Sequence, residues 1–231
     1  MLSTLSVLKW FHIVAMVYWL GGEWGVFQTA KNVVNRKLAM DERRRHMETA
    51  YRIDILARTG ILLLFPIGWH MGYYWGVQPF GGAAITVMWV FFGLWLALCW
   101  SAFIARETDR GIALTLFDER IRYVVIPAMV IVAISSLLGY GPLNAGDGQM
   151  WYSFKILLFA GMLVIGLLLR FIMREWTAMF RILAEGPNQE VENRREKSLR
   201  CGNKLAYTSW VGILSMAVRG AARRWCGREG A

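Results

Sequence analysis

This chain of 231 residues is short of polar surface: 56% of it is hydrophobic, 14% is aromatic and only 18% is charged. A water-soluble domain of this length needs far more polar residues, so repeated apolar runs make it a polytopic membrane protein. Cysteine is scarce too. Cys99 falls in an apolar run, Cys201 and Cys226 lie in the basic C-terminal region, and no C-x-x-C or C-x-x-C-H occurs. Zinc ribbons, dithiol redox centres and covalently attached c-type haem therefore have no support. Acidic residues number 16 against 26 Lys and Arg, a formal net charge of +10. In a soluble protein that excess would suggest nucleic acid or acidic partners. Here its distribution matters more than its sum, and no nucleic-acid partner is expected. No internal repeat or low-complexity tract is present, which leaves one membrane domain over residues 1–231.

What is present is a series of spans. The first, about 5–29, is long enough to cross a bilayer, for which about 20 mostly apolar residues suffice. It is too long for a signal peptide, carries Glu23 and lacks a small-residue cleavage site. A segment with seven Lys or Arg, Lys31 to Arg52, reads as a helical connection lying at the surface. Further spans follow at about 53–75, 83–105, 123–140 and 150–173. Pro66 is expected to kink the second, whereas Pro127 falls in the first turn of the fourth, where proline is tolerated. Between the third and fourth, Arg106 to Arg122 reads as a mixed-charge loop. The link Gly141 to Gln149 carries only Asp147 as a charge. Near the C-terminus, Leu205 to Val218 is apolar for only fourteen positions, short of a usual span. It is either a short sixth helix or one lying at the interface. The fold class is thus all-α, a polytopic membrane helical bundle.

The links after the second and fourth spans hold no Lys or Arg, while those after the first, third and fifth, and the tail, are basic. By the positive-inside rule the basic loops are cytoplasmic and the N-terminus is outside. A crossing sixth helix would put Arg219, Arg223, Arg224 and Arg228 outside, which argues mildly for an interfacial segment.

Orientation turns position into depth, at about 1.5 Å per helical residue. His12 lies roughly 10 Å below the outer boundary; His70 and Lys155, on the second and fifth spans, lie roughly 8 Å below it. Ionisable groups inside a membrane are costly and mark functional sites by default. Two neutral imidazoles facing each other across a bundle can bind a haem iron axially. Lys155 or Lys9 can then pair with haem propionates at the aqueous edge. Trp10, Phe11, Trp69, Gly68 and Gly72 suit a flat macrocycle. Equally, each histidine can hydrogen-bond a neighbouring helix, and Lys155 can snorkel to the interface. His46 sits in a charged segment and reads as solvated.

A second layer lies on the cytoplasmic side. Glu23 ends the first span and Arg58 begins the second, and an ion pair between them would remove most of their burial cost. Arg170 is expected at the inner interface.

The opening Leu8 to Gly22, LKWFHIVAMVYWLGG, resembles the first helix of the HemJ-type protoporphyrinogen oxidases and the related copper-resistance protein D (CopD)-like membrane family. Glu42-Arg43-Arg44, followed by a helix bearing Gly60 and Gly68, is similar to that family's second helix. Trp151-Tyr152-Ser153-Phe154-Lys155-Ile156-Leu157-Leu158 resembles its W-L-H-x-K-L-L motif. The resemblance covers helices one, two and five. It implies b-type haem at His12 and a functional lysine at Lys155. Ser153 stands where the family motif has histidine, and serine is a poor iron ligand and a poor base.

Together these readings describe a protein of a bacterial cytoplasmic membrane that holds one non-covalent haem b through His12 and His70. It would serve electron transfer, with other membrane subunits or an electron-transfer partner. A HemJ-type protoporphyrinogen oxidase is one alternative. A copper-handling or assembly subunit is another, since Met16, Met71 and Met150 could contribute thioethers, although scattered Met is more often packing.

Overall fold

The structure, a computed structural model, describes residues 3–106, 108–144 and 148–226, with side chains as far as 215. Asp147, Arg228 and the side chains of Arg219, Arg223, Arg224 and Cys226 lie outside the described residues. Six helices follow one another: α1 (Thr4–Val33), α2 (Met40–Tyr74), α3 (Ala83–Ile104), α4 (Asp109–Leu137), α5 (Met150–Glu185) and α6 (Gln189–Cys226). Four of them, α1, α3, α4 and α5, are long and apolar enough to cross a membrane. Five such spans were expected, and α2 is the one that falls short. Its second half carries Gly60, Pro66, Gly68, Trp69, His70 and Gly72, residues suited to packing against protein rather than lipid.

The helices are longer than the apolar runs that betray them. The Lys31 to Arg52 connection shrinks to a turn, because α1 continues to Val33 and α2 starts at Met40. The mixed-charge segment before the fourth span is helical from Asp109. Thr108 caps it, its hydroxyl accepting from the Gly111 N–H at 3.2 Å, and Asp109 complements the helix dipole in the first turn. Pro127 is consequently inside α4 rather than in its first turn. There it leaves one carbonyl without a helical donor.

The chain divides into two compact units, one of Met1–Val26 with Glu48–Ala160, the other of Phe27–Met47 with Gly161–Ala231. In the first unit α1 and α2 run antiparallel in one-for-one register. A Cβ at Gly22 would lie 2.8 Å from that of Ala57, and one at Gly25 would lie 3.0 Å from Ile53. At Gly60 it would lie 2.5 Å from the Ala15 carbonyl oxygen and 2.7 Å from the Trp19 nitrogen. Glycine at these places lets the backbones approach as small residues do between membrane helices. Around this pair, Leu62, Phe92, Trp95 and Cys99 form a buried core, and Phe65 stacks on Phe92 at 5.2 Å and on Trp69 at 5.5 Å. Val87, Leu94, Val124, Ile131 and Ile134 of α3 and α4 are exposed, as side chains meeting lipid are.

The second unit is held by arginine. The carbonyl of Val33, at the end of α1, accepts from Arg43 Nε at 2.9 Å and from Arg195 Nη2 at 2.5 Å. Arg43 also grips Glu192 through both oxygens, at 2.6 and 2.7 Å. These hydrogen bonds hold the Glu192 carboxyl below its usual range. Burial, and then the Arg43 charge, brings Arg195 down to about 10. Arg195 lies 4.0 Å over the Phe180 ring, which compensates part of that burial.

Candidate functional site between helices one, two and five

His12 stands on α1 where α2 offers Gly68. A Cβ at position 68 would lie 3.2 Å from the imidazole Cε1 and 3.8 Å from Nδ1, so the ring rests on bare backbone. His12 Nδ1 is buried and has no hydrogen-bond partner among the described residues. Leaving such an atom unpaired costs about 1–3 kcal/mol, so its persistence needs a reason. Lys155 of α5 is the charged group that acts on this imidazole. One helical turn before Lys155, the buried Tyr152 brings its hydroxyl to Gly72, where a Cβ would lie 2.5 Å from the oxygen. Trp69 borders it, with ring centroids 6.3 Å apart.

The two lysines are tied to the same rim by tryptophans the sequence reading did not single out for this role. Lys9 Nζ lies 5.8 Å from the Trp75 ring, and Lys155 Nζ lies 5.4 Å from the Trp151 ring. Trp75 and Trp151 meet edge to face at 6.0 Å. Two ammonium groups are thus positioned by a pair of touching indoles, at cation–π distance. Trp-x-x-x-Lys in α5 was the available signal, since residues four apart share a helix face.

His70 is elsewhere. It lies two residues beyond Gly68, about 200° around α2, and so on the opposite face. There its Nδ1 accepts from Trp89 Nε1 of α3 at 3.3 Å, and its ring stacks on Tyr74 at 5.4 Å. A neutral imidazole that accepts at Nδ1 carries its proton on Nε2, leaving no lone pair free for a metal. The structure therefore brings His12, Lys155 and Lys9 toward one layer and turns His70 away from it.

Ser153, at the position where the resembled motif has histidine, is fully buried and donates to Asn144 Oδ1 at 2.8 Å. Asn144 in turn donates from Nδ2 to the Ser136 carbonyl at 3.1 Å and from its backbone to the Val77 carbonyl at 3.1 Å. Its φ of 67° is left-handed, which asparagine tolerates. Position 153 is a tie between α5, α4 and the links that join the helices.

Farther along α1, Glu23 accepts from Trp19 Nε1 at 2.7 Å, and on α2 Arg58 pairs with Asp54 one turn before it. Asp54 was not singled out in the sequence. Arg170 is buried and His46 is half-buried, within the first turns of α2. A further polar cluster joins α3 to the polar start of α4. Asp118 of α4, almost fully buried, accepts from Trp95 Nε1 at 2.6 Å, Cys99 Sγ at 3.3 Å and Arg122 Nε at 3.3 Å. The four-residue spacing of Asp118 and Arg122 was the signal for a helix.

Among the described residues no group of three or more His, Cys, Asp or Glu is placed to hold a metal ion. A site served by one imidazole within a macrocycle is a different construction, in which the porphyrin supplies the other ligands. Compared with protein-family models, with curated proteins and with solved structures, the chain matches none.

Proposed function

We propose that this chain is a bacterial cytoplasmic-membrane protein that binds one b-type haem at the His12 layer and serves electron transfer, alongside other membrane subunits or a redox partner. The observation that carries the reading is the buried, unpartnered Nδ1 of His12 resting on Gly68. An imidazole nitrogen kept free of protein donors and acceptors suits an axial ligand. Lys155 and Lys9, positioned by Trp151 and Trp75, suit the two propionates by charge-assisted hydrogen bonds. The resemblance of Leu8 to Gly22 and of Trp151 to Leu158 to the HemJ-type and CopD-like family supports the same residues. Bound haem would supply a one-electron carrier, its potential tuned by burial and the axial ligand.

The fit is with one imidazole. His70 would have to give up Trp89 and change tautomer before it could bind iron, so His12 is the ligand the geometry favours. A carrier is favoured over an oxidase because Ser153, buried and bonded to Asn144, offers no titratable group at the motif's histidine position. The reading takes α2 as a fifth membrane span, supported by its one-for-one contact with α1 from Gly25 and Ile53 to His12 and Gly68. The N-terminus is placed outside, because basic residues concentrate after α1, α3 and α5.

A visible spectrum of the purified protein, expressed with ample haem, tests the proposal. A b-type pyridine haemochrome is expected, lost in His12→Ala and retained in His70→Ala. A wild-type protein without haem would end the cofactor reading.

A further inference from the structure

The end of α6 carries an inference that composition left open. Its apolar run, Leu205 to Val218, is short, and by sequence it could lie along the membrane surface. The structure makes α6 one unbroken helix from Gln189 to Cys226. Its partner in the second unit is α5, which is long and apolar enough to span a membrane. A Cβ at Gly202 would lie 3.8 Å from Ile172 and 3.9 Å from Leu169. Ten residues further along α6, a Cβ at Gly212 would lie 3.1 Å from Met162 Sδ, ten residues back along α5. The two helices therefore run antiparallel in constant register, and Gly212 reaches the middle of the Met150 to Met173 apolar run. A helix lying on the surface cannot follow a crossing helix in this way. From Gly212 the helix continues for fourteen residues to Cys226, about 21 Å at 1.5 Å per residue.

The two faces of α6 agree. Ala206, Ser209, Trp210 and Ile213 are buried, and Trp210 meets Phe27 edge to face at 5.1 Å. Tyr207, Val211 and Leu214, spaced four and three apart, are 54%, 66% and 55% exposed. Two hydroxyls on the exposed surface turn back onto their own helix. Thr208 Oγ1 donates to the Lys204 carbonyl at 2.9 Å, and Ser215 Oγ donates to the Val211 carbonyl at 2.7 Å. That is how a helix satisfies its polar groups where no water is at hand.

We infer that α6 crosses the bilayer beside α5 as a further membrane span, with Tyr207, Val211 and Leu214 against lipid acyl chains. Lys204 precedes the fourteen apolar positions, and a long basic side chain snorkelling to the interface, together with local thinning of the bilayer, lets a short run fit a hydrocarbon core of about 30 Å. The C-terminal segment then emerges on the side of the N-terminus. The contact with α5 outweighs the argument from the basic residues of the tail.

Two experiments on the full chain in membranes test this. Alkaline phosphatase and a fluorescent protein, fused in turn after Ala231, should give an active phosphatase and a dark fluorophore. The reverse pattern would overturn the crossing. In a background with Cys99, Cys201 and Cys226 changed to serine, nitroxides at Val211→Cys and Leu214→Cys should be relaxed by oxygen and not by a water-soluble nickel chelate. Glu196→Cys should show the opposite. Relaxation of the Val211 label by the chelate would place that face in water and end the inference. Dipolar broadening between Val211 labels on separate molecules would assign the face to a second copy instead of lipid, and would equally overturn it.

Discussion

Two polar layers inside the first unit are built on opposite terms. Around Asp118 the acceptors and donors are matched: the Trp95 indole, the Cys99 thiol and the Arg122 guanidinium all converge on one carboxylate. Arg122 also lies 5.4 Å over the Trp95 ring. Around His12 closure is missing: a buried imidazole nitrogen finds no hydrogen-bond partner among the described residues. A closed network is worth most to stability and has little left to offer a ligand. An open one lowers stability and keeps chemistry available. The contrast separates a strut from a site more reliably than charge or depth, since both layers contain buried ionisable groups.

The largest effect should come from breaking the closed layer. Asp118→Ala strands a buried guanidinium and should cost about 3–5 kcal/mol, read as a loss of thermal stability in detergent, with the spectrum of the proposed haem unchanged. If that spectrum is lost in folded protein, the two layers are not separate. The arginine clasp of the second unit gives a pH-dependent version of the same behaviour. Glu192 has a folded pKa below its unfolded one, so its contribution is complete above the ordinary glutamate value of about 4.3 and is lost as pH falls through the folded value. Glu192→Gln should lower stability by about 3 kcal/mol at neutral pH and flatten the acid limb of the stability profile.

A glycine between the layers comes next. Gly60→Ala puts a methyl 2.5 Å from the Ala15 carbonyl and should cost about 1–3 kcal/mol by overpacking, seen in the same melting experiment. The open layer should respond with the reverse sign. His12→Leu removes an unpaired buried nitrogen, so the haem-free protein should gain up to about 1–2 kcal/mol while losing the capacity to take haem. Destabilisation by His12→Leu would show that the imidazole is a structural partner after all. The smallest effect belongs to the rim. Lys155→Met should leave the iron spectrum intact and speed transfer of haem to an acceptor such as apomyoglobin, with Lys9→Met adding to it.

Much of this was open to reading in the amino-acid order alone. Long apolar runs located α1, α3 and the start of α5 to within a few residues, because a span must satisfy its own backbone in lipid. They also singled out His12 and Lys155, since an ionisable group in such a run is conspicuous whatever surrounds it. Helix ends were less legible. The Arg106 to Arg122 stretch is polar enough to read as a loop, yet Thr108 caps it and Asp118 is buried in it. Which way a side chain faces was not legible at all. His12 and His70 match in depth, but a rotation of about 200° between Gly68 and His70 sends them to different neighbours. Arg58 found its carboxylate at Asp54, one turn away, and α6 followed α5 despite a run too short to announce a span. Apolar content is a property of a segment and survives in composition. Partnership belongs to two faces at once, and only the packed helices decide it.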